Sequence, residues 1–306
     1  MSAAAKDEGD TMMFCASCGV AGGDRIKLKR CTACYLVRYC SVKCQKDHRP
    51  KHKRECKKRA AELHDELLFK QPEGSYLGDC PICCLPLPID APETYCTNAC
   101  CSKMICDGCD FVNKWRENEM RHQQSCPFCR KAMPKTQEEC DERMMKRIEA
   151  NDPIAMRHVG TRRHMEGDYT AAFEYWKKLA ALGDAEGHYQ LGSLYHCGRG
   201  VEKDEKKELH HMEQAAIGGH PDARHNLGCL ERDNGQYDRA AKHWIIAATL
   251  GLDVSVDNVK DLYEDELVSK EDFAAALRGY QTAIAATKSP LREEASKHTK
   301  WLGGFK

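Results

Sequence analysis

Between residues 15 and 56 the chain spaces seven cysteines and a histidine as Cys15-x2-Cys18, Cys31-x2-Cys34, Cys40-x3-Cys44 and His52-x3-Cys56. Structural zinc takes four tetrahedral thiolate or imidazole ligands, and a two-residue gap lets consecutive thiolates converge on one ion at little backbone cost. His52 and Cys56 stand one helical turn apart, so both can face the same ion. Eight ligands make two complete sites, and few folds can close a stretch this short around two ions. His48 lies one further turn ahead of His52, a spacing that would let it compete as a donor, though the expected role is that of a solvated helix histidine.

The segment resembles the MYND-type zinc finger, through the ligand pattern, Tyr39-Cys40-Ser41, Cys44-Gln45 and the closing His52-Lys53-x-x-Cys56. The resemblance implies interleaved ligation, with Cys15, Cys18, Cys40 and Cys44 on one zinc and Cys31, Cys34, His52 and Cys56 on the other. One position departs from the family. Arg49 stands where a tryptophan usually precedes the ligand histidine by three residues, which argues against a peptide groove of the usual kind.

A second cysteine set runs Cys80-Pro81-Ile82-Cys83, Cys100-Cys101-x4-Cys106-x2-Cys109 and Cys126-Pro127-Phe128-Cys129-Arg130. It looks like a RING-type domain. The resemblance implies one zinc on Cys80, Cys83, Cys106 and Cys109 and another on Cys126 and Cys129 with Cys100 and Cys101, Cys96 being open as a substitute for either of the adjacent pair. Successive side chains diverge in extended backbone, so Cys100 and Cys101 require a sharp turn. The count is then four zinc ions, two per module. By the same resemblance Ile82, Trp115 and Pro127 would contact a ubiquitin-conjugating enzyme and Arg130 would restrain the donor ubiquitin, with no covalent catalytic residue. The plainer account has Ile82 and Trp115 covering a small zinc-centred core and Arg130 as a surface cation.

The 306 residues carry 47 basic and 47 acidic side chains. This balance is not local: Arg25 to Arg59 is strongly basic, which suits a phosphate backbone. No aromatic residues interleave with those cations as stacking platforms for single strands. Met1 to Asp10 has no apolar core of a secretory signal, and no later run has the length of a membrane span. With 20 cysteines in metal-ligand spacing rather than a disulfide framework, the expected setting is intracellular, cytoplasmic or nuclear.

Past the finger, Lys57 to Lys70 places Ala60, Leu63 and Leu67 on one helical stripe. Beyond Arg147 the chain repeats: Asn151 to Gly160, Gly183 to Gly192 and Gly219 to Gly228 align, Gly251 opens a fourth unit, and the stretch ending at Trp176 parallels the one ending at Trp244. A period in the low thirties with small residues at fixed points means antiparallel helix pairs stacked into a solenoid. The array is similar to Sel-like repeats, relatives of the tetratricopeptide family, most specifically in the loop Gly198 to Asp204. His188, His210, His211, His220 and His225 recur at repeat positions and read as packing residues.

The expected fold class is therefore two small zinc-stabilised modules, MYND-like and RING-like, followed by an all-α helical-repeat solenoid. The expected map is 1–14 disordered, 15–56 finger, 57–79 helical linker, 80–130 RING-type module, 131–150 charged helix, 151–288 repeats and 289–306 tail, fraying beyond Pro290. The leading functional expectation is a RING-type ubiquitin ligase that recruits a conjugating enzyme through the RING and a protein substrate through the repeats. The alternatives are a non-catalytic interaction scaffold and nucleic-acid binding through the basic finger.

Overall fold

The computed structural model describes residues 14–89 and 94–298. The chain divides into two compact units, Met1–Lys70 and Gln71–Lys306, each described by itself.

In the first unit a two-residue strand β1 (Lys29–Arg30) pairs antiparallel with β2 (Arg38–Tyr39), followed by the long helix α1 (Val42–Leu68). Ser41 starts the helix, its hydroxyl accepting from the amide of Cys44. Helix α1 runs without a break from Cys44 past Cys56, so the stretch expected as a linker continues the finger's own helix. The apolar stripe is not as the spacing suggested: Leu67 is 51% exposed and its neighbour Leu68 is buried. The buried apolar core is Cys15, Cys31, Cys34 and Tyr39. Three of those four are thiols.

The second unit opens with a hairpin, β3 (Tyr95–Thr97) against β4 (Met104–Cys106), leading into α2 (Asp107–Glu119). Helix α3 (Gln137–Glu149) follows and buries Met144 with Ala155 and Val159, closing the first end of the repeat array. The array is four helix pairs: α4 (Pro153–Met165) with α5 (Tyr169–Ala181), α6 (Ala185–Cys197) with α7 (Glu205–Ile217), α8 (Pro221–Asp233) with α9 (Tyr237–Thr249), and α10 (Asp253–Glu264) with α11 (Lys270–Thr287). Side chains of Asp152, Asp168, Asp184, Asp204 and Ser269 cap five of these helices. Inside, Trp176 and Trp244 repeat one device. Each indole packs against a glycine of the preceding helix, and a Cβ on Gly160 or Gly228 would stand 2.6 or 2.4 Å from the indole nitrogen.

Two segments behave differently from the sequence expectation. Residues 71–79 are fastened to the array: the Tyr76 amide donates to the Gly219 carbonyl at 3.2 Å, and its ring stacks on His220 at 4.4 Å beneath the Arg157 guanidinium. Gln71 Nε2 also donates to Thr249 Oγ1 at 2.7 Å. Secondly, Pro290 begins a helix, α12 (Pro290–Lys297), which packs on α2; the expectation of a tail fraying from Pro290 is corrected through Lys297 because Ser289 caps the helix and Arg292 is buried. Residues 1–13, 90–93 and 299–306 lie outside the described residues.

Of the histidines expected as packing residues, His220 is sandwiched by Tyr76 and Tyr189, and His188 Nδ1 meets His211 Nδ1 at 3.0 Å, whereas His210 is exposed and the expectation is corrected there. His243, fully buried, has the Arg224 guanidinium 3.5 Å from its Nδ1. A guanidinium can only donate, so the ring is a neutral acceptor. Burial, then the charges of Arg224 and Arg239, holds its pKa down to about 3. The unfolded chain takes up a proton near 6.5 that the folded chain refuses until about 3, so this contribution to stability is complete above 6.5 and falls as pH drops. Urea unfolding should show His243→Gln losing about 2 kcal/mol less than the wild type between pH 6.5 and 5; equal losses would mean that His243 charges freely in the fold.

Candidate metal centres

Four groups of side chains bring their donor atoms within 4.8 Å of one another: Cys15, Cys18, Cys40 and Cys44; Cys31, Cys34, His52 and Cys56; Cys80, Cys83, Cys106 and Cys109; Cys100, Cys101, Cys126 and Cys129. The backbone makes this possible. In each knuckle the first cysteine is closed into a tight loop, as where Cys15 N donates to Val20 O at 2.8 Å, Cys31 N to Val37 O at 2.8 Å, Cys80 N to Leu85 O at 2.9 Å and Cys126 N to Lys131 O at 2.8 Å. Of the remaining finger donors, Cys40 directly follows β2, and Cys44, His52 and Cys56 ride on one side of α1.

Sulfur separations fit a shared ion. A tetrahedron with metal–sulfur bonds of about 2.3 Å has edges of about 3.8 Å. Cys18 and Cys40, Cys40 and Cys44, Cys31 and Cys56, Cys83 and Cys106, and Cys101 and Cys126 stand 3.6, 3.6, 3.7, 3.7 and 3.6 Å apart. Cys34 Sγ and His52 Nε2 are closer, at 3.1 Å, as are Cys129 and Cys100 at 3.2 Å.

The thiols' acidities point the same way. Amides of Cys18 and Cys40 hold the Cys15 thiol down to about 6. Burial opposes ionisation of Cys31 and Cys80, yet knuckle amides outweigh it and leave them at about 6 and about 7. Cys129 is lowered likewise, the Lys131 amide overcoming burial. Each group thus has one thiol predisposed to ionise. Others are pushed up, Cys40 to about 12 by its bond to Cys44 and Cys56 to about 12 by burial and its sulfur neighbours. A dication among them reverses that repulsion, so the donor sets fit zinc chemistry.

His48 stands apart from the ligand group, with Tyr39 Oη 3.0 Å from its Nδ1 and its ring stacked on His52. Cys96 sits on β3, paired in register with Ile105, outside the four groups. The sharp turn needed by Cys100 and Cys101 lies between β3 and β4: Asn98 O accepts from Cys101 N and Ser102 N, Asn98 N and Nδ2 both donate to Lys103 O, and Ser102 has φ +55°. Asn98 is buried, and sequence reasoning missed it. An asparagine just ahead of a cysteine-rich turn was the available signal, since its side chain can stand in for a turn's backbone bonds.

Ile82 and Trp115 are 44% and 53% exposed, so neither covers the module's core. That core is Leu77, Leu87 and Ile105 with Cys80, Cys106 and Cys109. Pro127 is half-buried, and Arg130 is exposed in a left-handed conformation. Arg130, Arg116 and His122 border a hollow of about 440 Å³ floored by Glu117, whose carboxylate is taken up by the Ser125 amide and hydroxyl. On α1 the exposed cations Lys43, Lys46, Lys53, Arg54 and Lys57 fall on the side away from Cys44, His52 and Cys56. Cys84, Cys140, Cys197 and Cys229 join no group.

Family models match at two places: the MYND finger at residues 15–56, and the Sel1 repeat at 153–184, 185–220 and 221–252. The chain carries a MYND finger and three Sel1 repeats. The fourth helix pair, α10 with α11, extends the Sel1 array beyond the matched repeats. Over 46% of its length the chain is 27% identical to "DAP3-binding cell death enhancer 1" of Mus musculus, covering 35% of that protein. Over 31 residues it is 61% identical to the human "Histone-lysine N-methyltransferase SMYD3", covering 10% of this chain and 7% of that one. A solved Sel1 repeat protein from Oxalobacter formigenes aligns with 55% of this chain and 51% of its own, at 18% identity and a TM-score of 0.42. The chain therefore spans about a third of the first relative and a small part of the second. Among the described residues no helix is long and apolar enough to cross a membrane.

Proposed function

We propose that this chain is a zinc-organised adaptor: the Sel1 array docks a protein partner, while the MYND finger and the second cysteine module each use two zinc ions to hold a further binding surface. The observation that carries it is the array itself, matched as Sel1 repeats and built of helix pairs that bury tryptophans against their neighbours, an arrangement that offers partners an extended face. Similarity to a protein named for binding DAP3 makes DAP3, or a protein like it, the first partner to try.

A second reading, a RING-type ubiquitin ligase, is favoured by one specific feature. Ile82 and Trp115 are large apolar side chains left exposed on a small module, which suits a conjugating-enzyme contact better than a core role. Arg130 would then restrain the donor ubiquitin through several N–H donors.

One experiment separates the two. The full chain and its Ile82→Ala and Arg130→Ala variants are tested for DAP3 binding by calorimetry and for ubiquitin discharge from a panel of charged conjugating enzymes. The adaptor reading expects micromolar or tighter binding that both variants retain. The ligase reading expects discharge that falls about ten-fold or more in either variant. Absence of discharge with every enzyme, zinc content being confirmed, removes the ligase; absence of binding removes DAP3.

A further inference from the structure

Helix α12 reaches the second cysteine module with one buried guanidinium. Arg292 is 7% exposed, and three of its four hydrogen-bond partners belong to the stretch from Cys83 to Pro86. Nη1 donates to the Pro86 carbonyl at 2.7 Å and to the Thr287 carbonyl at 2.7 Å; Nη2 donates to the Leu85 carbonyl at 3.2 Å and reaches Cys83 Sγ at 3.6 Å. The Leu85 carbonyl is the same one that closes the knuckle by accepting from Cys80 N. Helix α2 receives α12 at Gly108, where a Cβ would stand 2.8 Å from backbone atoms of both Leu291 and Arg292, and Phe111 stacks on His298 at 5.3 Å.

Four thiolates around a zinc ion leave the site with an excess of two negative charges, and in a half-dry setting that excess is costly. Donors to the ligating sulfurs offset it and fix ligand orientation, which is what outer-sphere partners do in metal sites. Here the cation comes from 209 residues away in the chain. Resting on the zinc reading of this cluster, we propose that Arg292 is an outer-sphere positioning residue of the Cys80, Cys83, Cys106 and Cys109 site, so that retention of that ion depends on α12 being docked. The C-terminal helix is then a working part of the zinc module.

The test uses the full chain. Zinc per chain is measured by atomic absorption, and release to a chromogenic chelator is followed in time. A Cys80→Ser, Cys83→Ser double variant identifies the phase that belongs to this site. Arg292→Ala should speed that phase about ten-fold or more while the other phases keep their rates. Gly108→Ala, which pushes α12 away with Arg292 intact, should speed the same phase. Arg292→Lys keeps the charge but loses the fork, and should fall between. In the cobalt-substituted chain Arg292→Lys should also shift the sulfur-to-metal charge-transfer band while protease protection of α12 persists, a signature that a purely structural anchor would not move. An unchanged release rate in Arg292→Ala, or equal acceleration of every phase, overturns the proposal. A double variant that loses no ion overturns the zinc reading of the cluster and the proposal with it.

Discussion

Stripping metal from the full chain with a chelator is expected to unfold the finger and leave the helices of the Sel1 array in place. Among the described residues the finger's core cluster is small: of its four buried side chains, Cys15, Cys31 and Cys34 each belong to a candidate metal group, and only Tyr39 does not. A module of this size without its ions has too little apolar surface to fold, and the binding free energy of structural zinc is then its folding free energy. The array draws on other residues. Trp176, Leu179, Leu191 and Leu194 make one core and Trp244, Val256, Val259 and Leu262 another, with no donor of the four groups in either. Hydrogen exchange with and without chelator reads this directly. Amides of Cys31 and Cys34 through the first turns of α1 should lose protection, those of α5 to α9 should keep it, and zinc should restore the first set. Protection surviving in the finger after full metal removal would show that the ligands are not what holds it.

The same comparison tests how far the second cysteine module leans on the array. Its core includes Leu77, Leu87 and Ile105, and its approach segment is held by the Tyr76 stack on His220 and the Gly219 carbonyl. Metal loss there should loosen the hairpin β3–β4 first, because its turn at Asn98 to Lys103 carries Cys100 and Cys101. Residues 71–79 should stay protected longer.

Much of this organisation could be read from the chain because it is local. A two-residue gap between cysteines, or a four-residue gap on a helix, determines which side chains can meet over a few ångströms whatever the rest of the fold does. The helix pairs were equally plain, since a repeat must pack against copies of itself and so writes its contacts at one period. What could not be read is contact between distant stretches. Tyr76 lies in a polar segment with nothing to suggest that its amide would meet the carbonyl of Gly219, and Arg292 gave no sign of reaching Cys83. Leu67 and Leu68 differ by one position, and the face that α1 buries is decided by packing rather than by spacing. Trp115 and Ile82 could be placed in the module from the sequence, but their exposure could not.

The largest single-residue effect on the array should come from Trp244→Ala, with a cost of about 3–5 kcal/mol for the cavity it opens. Trp244 is fully buried in the core shared by α8 to α11 and donates from Nε1 to the His225 carbonyl at 3.1 Å. The residue it packs on, Gly228, has no side chain that could move into the hole. Trp176 occupies the matching place two helix pairs earlier, against Gly160, yet its indole N–H is buried without a hydrogen-bond partner. The two tryptophans should therefore respond differently to phenylalanine. Trp244→Phe loses volume and the indole's hydrogen bond to the His225 carbonyl, which keeps its partner within α8, and should cost more than Trp176→Phe by about 1 kcal/mol, because the latter removes an unsatisfied donor instead of a bonded one. Gly228→Ala should destabilise as well, since its methyl would stand 2.4 Å from the indole nitrogen and force Trp244 to shift. Combined with Trp244→Ala that glycine substitution should cost less than it does alone, for the space it needs has been vacated; the two sites share a contact and cannot be additive. Chemical unfolding of the four single variants and the double variant supplies every term. Equal costs for the two phenylalanine substitutions, or strict additivity in the glycine–tryptophan pair, would mean that the array is not held by these paired contacts.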